Sequence, residues 1–72
     1  MKGSLRKIAA NSVEWNEHVF TPGVVEICDE IAEKAYRLEG EQPFTEWLGG
    51  AIKIKSDENG LKRAYHNGKP IK

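Results

Sequence analysis

The chain has 72 residues, enough for one domain at most, and a domain of this size buries only about 60% of its unfolded surface. Apolar residues make up 39% and charged residues 31% of it, and no window approaches the ~20 consecutive apolar residues of a transmembrane helix, which excludes a membrane span of that kind. The net charge is zero, which argues against a protein that binds polyanions by bulk charge.

That zero hides a partition. Residues 1–12 carry Lys2, Arg6 and Lys7 without an acid, giving +3. Residues 13–50 carry nine acids against Lys34 and Arg37, giving −7, and residues 51–72 carry six cations against Asp57 and Glu58, giving +4. Opposed blocks suit association with further copies or with a partner. One cysteine, Cys28, allows no internal disulfide. With no apolar signal segment after Met1, synthesis inside the cell is the expectation.

In chain order, residues 1–12 read as an N-terminal arm, with Leu5, Ile8 and Ala9 suggesting a brief helix capped by Ser4. Val13 to Val19 alternates and predicts a short strand with Val13, Trp15 and Val19 on one face. Thr21 then serves as an N-cap and Pro22 as a first helical residue. Val24, Cys28, Ile31, Ala35 and Leu38 follow at steps of three and four, which predicts an amphipathic helix from Pro22 to Leu38. Glu30 with Lys34 and Glu33 with Arg37 would pair along it at i,i+4, and Gly40 would end it.

Glu41 to Leu48 reads as a loop or single helical turn, and Gly49-Gly50 as a hinge. Ala51–Lys55 alternates, Ser56–Gly60 is a turn and Leu61–Tyr65 returns, which predicts a β-hairpin. Asn67-Gly68 makes another turn into a tail at 67–72. The whole is an α+β domain over 13–66, β-α-β-β in order, with one helix packed on a small antiparallel sheet.

No catalytic, cofactor or metal motif emerges. Cys28 lies on the apolar stripe and reads as a buried structural cysteine. His18 and His66 sit in no motif. Asp57-Glu58-Asn59-Gly60 echoes a calcium loop, but Lys55 and His66 then fall where an acid and a bidentate glutamate are required. Glu26, Asp29, Glu30 and Glu33 read as a solvated helical face, or a surface for a basic partner. The basic hairpin, with Lys53, Lys55, Lys62, Arg63, Lys69 and Lys72 beside Tyr65, is the candidate for nucleic acid, set against the common use of lysine to keep strand edges soluble. Phe44, Trp47 and Leu48 read as core or as an aromatic interface anchor. The interface candidates are therefore Phe44, Trp47 and Leu48, the cations Lys53, Lys62 and Arg63, and the acids Glu26, Glu30 and Glu33.

One sequence of features points to a family. Val13-Glu14-Trp15-Asn16 leads into Thr21-Pro22, then Val24-Val25-Glu26-Ile27 and Ile31-Ala32-Glu33-Lys34-Ala35. A glycine-rich break precedes Ile52-Lys53-Ile54, and the returning strand ends in Tyr65-His66-Asn67. Over residues 13–66 this resembles the small neck, tail-completion or minor virion proteins of long-tailed bacteriophages, notably those of actinobacteria. The resemblance implies a non-enzymatic structural subunit of a head–tail junction, tail or minor capsid component. Its partners would be other copies and neighbouring virion proteins, and its place the virion, or the cytoplasm if it is not phage-encoded. It implies no catalytic residue and no cofactor. The alternative is a nucleic-acid-binding or regulatory module that uses the basic hairpin.

Overall fold

A computed structural model describes residues 5–40 and 45–71. Its described residues form nine strands and no helix, in two sheets. Sheet A has the order β5-β4-β1-β6, from β1 (Leu5–Ala10), β4 (Gly23–Cys28), β5 (Ile31–Arg37) and β6 (Thr45–Trp47). Sheet B has the order β3-β2-β7-β8-β9, from β2 (Ser12–Trp15), β3 (His18–Phe20), β7 (Ala51–Ser56), β8 (Lys62–His66) and β9 (Lys69–Pro70). The sheets share one core. Ile8, Ala10, Val25, Ile27 and Ala32 enter it from sheet A, and Val13, Ile52 and Ala64 from sheet B. Trp15, Ala35, Ile54 and Ile71 pack around it.

The α+β expectation is thereby overturned: residues 22–38 form a β-hairpin where a helix was expected. Val24, Val25 and Ile27 are β-branched, which favours extended backbone. β4 lies between β1 and β5, and Val24 on its outer face is as fully buried as Val25 on its core face, so its apolar residues do not alternate with polar ones as in a half-exposed strand. Asp29 and Glu30, with φ of 53° and 70°, form a two-residue turn of the kind that suits hairpin twist. The register then slips between Glu26 and Ile27, which face Lys34 and Ala32. Glu33 is the extra residue of this β-bulge. The bulge places Ala32 and Ala35, three apart, on the same core-facing side. A turn plus a bulge thus reproduced the three-and-four spacing of a helix.

Two smaller expectations change for related reasons. The stretch 13–19 is itself a hairpin, turned at Asn16 and Glu17 with φ of 50° and 73°. Leu5–Ala10, expected as a short helix in an arm, is an interior strand of sheet A, with Ile8, Ala9 and Ala10 buried. Ser4 lies outside the described residues. The β7–β8 hairpin forms where alternation and Gly60 placed it, and Asn67-Gly68 turns the chain into β9.

Asp57 organises the β7–β8 turn. Its Oδ1 accepts the N–H of Asn59 at 2.8 Å and of Leu61 at 2.9 Å, and its Oδ2 accepts Arg63 Nε–H at 3.2 Å. The Leu61 N–H first, then Arg63 and Asn59, hold this carboxyl below the usual aspartate range.

Gly23 opens β4 where it crosses β2 and β3. A Cβ there would lie 2.8 Å from Val13 Cβ and 2.9 Å from both Phe20 Cβ and Phe20 O. Gly23→Ala is expected to lower stability by about 1–3 kcal/mol through overpacking, read as a drop in the urea midpoint. An unchanged midpoint would mean that the strands separate without cost.

For Asp57 the folded-state pKa lies below the unfolded value of about 3.9. Its contribution is therefore complete above that value and lost as pH falls through the folded value. The gap in urea midpoint between wild type and Asp57→Asn should hold steady from neutrality to about pH 5 and narrow below about pH 4. A gap independent of pH over that range would refute the role given to the charge.

Candidate interaction surfaces

The acids expected on one helical face are scattered by the strands. Glu26 is half-buried on the outer face of sheet A, where its carboxylate accepts the Tyr36 hydroxyl at 2.5 Å and stands 4.0 Å from Lys34 Nζ. Burial, and then the bond to Glu26, push the Tyr36 hydroxyl up to about 12. Glu30 sits in the β4–β5 turn and Glu33 is exposed at the bulge. Neither i,i+4 pair forms as a helical pair; Lys34 instead meets Glu26 across the hairpin.

The basic hairpin divides into two groups. Lys62 Nζ donates to Ser56 Oγ at 3.0 Å. Arg63 is held by Asp57 at 3.2 Å and by Glu30 at 3.4 Å. Arg63 thus joins the hairpin to an acid of sheet A within a single chain, Glu30. Lys53 and Lys55 form no ion pair among the described residues and project from the outer face of sheet B. Tyr65 stands opposite Lys53 in register, and Lys55 Nζ lies 5.7 Å from the centre of its ring. Ala51, Lys53, Lys55, Tyr65, Asn67 and Gly68 line an open groove of about 420 Å³. Alternation showed that the two lysines share a face. The place of Tyr65 beside them depended on the hairpin register, which the Asp57 turn sets.

On the opposite side of the sandwich, register aligns Tyr36, Val24, Ala9 and Trp47 across the outer face of sheet A. Ala9 and Val24 are buried, whereas Trp47 at the edge is 57% exposed. Leu5 on the same face is 56% exposed, and Leu48, just after β6, is 40% exposed. Phe44 lies outside the described residues. Leu5, Cys28 and Ile31 form a second apolar row, so Cys28 is a half-buried outer-face residue and not the core residue expected of it.

Edge strand β6 is fixed by a two-point ion pair. Arg6 Nε donates to Glu46 Oε2 at 3.0 Å and Arg6 Nη2 to Glu46 Oε1 at 2.9 Å. Hydrogen bonding between them raises the Arg6 pKa and holds Glu46 below the usual carboxylate range.

His66 Nε2 lies 3.0 Å from Gly49 O, at the bend between β6 and β7. Among the described residues no group of three or more His, Cys, Asp or Glu is placed to hold a metal ion. Among the same residues no helix is long and apolar enough to cross a membrane.

No protein-family model matches the chain, and no curated protein matches it significantly. Among solved structures it is similar to a mutant N-acetyl-D-glucosamine-6-phosphate deacetylase from Mycobacterium smegmatis, in complex with N-acetyl-D-glucosamine-6-phosphate, at 21% identity and a TM-score of 0.55. The match covers 72% of this chain and 13% of that one. The likeness is one of fold: a backbone of this kind also occurs as a small part of a much longer chain.

Proposed function

We propose that this protein is a non-catalytic β-sandwich subunit that acts by protein–protein contact, with the Trp47 edge of sheet A meeting a second copy. Exposure of Trp47 carries this reading. Tryptophan is a favoured interface anchor, and here it stands 57% exposed while the largest fully buried side chains among the described residues are aliphatic, led by Ile8, Ile52 and Val13. Leu5 and Leu48 add apolar surface near it. A core of this size supplies roughly 3–5 kcal/mol, so burying the aromatic edge against a like surface would add stability that the chain cannot obtain from an internal disulfide.

Between the first strand and the β7–β8 hairpin, where a helix was expected, stands the β4–β5 hairpin, so this reading rests on the Trp47 edge and not on the likeness to virion proteins. Lys62 and Arg63, candidates for the interface by charge, are bonded to Ser56 and Asp57 at the β7–β8 turn.

Sedimentation velocity over a concentration series tests the proposal. Wild type is expected to associate, and Trp47→Ala to weaken association by about 2 kcal/mol, roughly thirtyfold in the constant. Circular dichroism serves as the folding control. Lys53→Glu, on the other sheet, should leave association unchanged. A wild type that stays monomeric at the highest concentration, or a Trp47→Ala protein that associates as wild type does, would overturn it.

A further inference from the structure

The groove on sheet B lies on the opposite side of the sandwich from the Trp47 edge, so its chemistry is the same whether or not that edge meets a second copy. Lys53 and Lys55 alternate on one face of β7, which sets their Cα atoms about 6.6 Å apart along the strand. Neither is neutralised by an ion pair among the described residues. Tyr65 lies among them with the Lys55 ammonium over one face of its ring, a contact that a stacked base and its phosphate would replace, and the Asn67 amide in the lining offers both a donor and an acceptor. Glu14, in register with Lys53 on β2, is the acid nearest in the sheet, and Arg63, beyond Lys55, is already engaged by Asp57 and Glu30.

We propose that this groove binds single-stranded nucleic acid, with successive phosphates on Lys53 and Lys55 and a base stacked on Tyr65. The two lysines rise from alternate residues of one strand, and the groove is open to solvent instead of closed around one small molecule. An aromatic platform beside such a line is how single strands are held without sequence readout. An acidic peptide would satisfy the lysines but brings no flat ring for Tyr65. A net charge of zero gives no long-range attraction, so binding is local, weak and carried by about two phosphates.

The test is fluorescence anisotropy with labelled oligothymidylate and oligouridylate of about 12 nucleotides. With two phosphates neutralised, log K should fall against log salt with a slope of about −1.4, a loss of about sevenfold between 50 and 200 mM. Lys53→Ala and Lys55→Ala should each reduce that slope to about −0.7. Tyr65→Leu should weaken binding about tenfold with the slope retained. Lys69→Ala, outside the groove, should bind as wild type, and each variant's thermal melt verifies its fold. Absence of binding at low salt would overturn the proposal. So would an unchanged Tyr65→Leu, or a loss in Lys69→Ala equal to that in Lys53→Ala. Displacement of the probe by polyglutamate as readily as by unlabelled oligonucleotide would assign the groove to acidic peptides instead.

Discussion

Everything in this fold hangs on two bent segments, residues 5–15 and 45–56, that run side by side from one sheet into the other. β1 pairs with β6 in parallel, and beyond the bend β2 pairs with β7 in parallel. The bend is secured by backbone and side chain together. Leu48 N–H bonds to Ala9 O at 2.9 Å, Ser12 N–H to Gly50 O at 3.2 Å, and Gly50 N–H to Asn11 Oδ1 at 2.7 Å. The register offset grows by one residue across it, from Ala9 facing Trp47 to Ser12 facing Ala51. Gly49 and Gly50 absorb the extra residue with φ of 74° and 67°, a conformation that costs other residues roughly 1–2 kcal/mol. Once this pair is bent, Ile8 and Ala10 face Val13 and Ile52 across a common core.

The same geometry decides what each outer face can do. Sheet A is wide enough to bury Val24 and Ala9 on its outer side, but its last strand is three residues long and leaves Trp47 uncovered. Sheet B turns a polar side outward, where alternation forces Lys53 and Lys55 onto the face opposite Ile52 and Ile54. An aromatic edge and a cationic groove thus follow from strand length and strand parity, on opposite sides of a molecule with a single thin core.

How much of this could be read in the sequence depended on whether the signal was local. The β7–β8 hairpin was legible because lysine and isoleucine alternate and Gly60 marks its turn. The β2–β3 and β4–β5 hairpins were not, since their turns are Asn16-Glu17 and Asp29-Glu30, with glutamate where glycine usually advertises a left-handed residue. The bulge at Glu33 then supplied false helical spacing. The candidate surfaces were half legible for the same reason. Trp47 and Lys53 stood out by type, whereas Tyr65 joined the lysines only through cross-strand register. Arg63 was lost to the surface because a contact 33 residues away, with Glu30, could not be foreseen.

Because the bent segments cross between layers, each sheet is built from both halves of the chain. Residues 5–37 give β1, β4 and β5 to sheet A and β2 and β3 to sheet B, and residues 45–71 give β6 to the first and β7, β8 and β9 to the second. The halves are joined by one connection, between Arg37 and Thr45. Neither half completes either sheet without the other, so the core exists only once strands from both are in place.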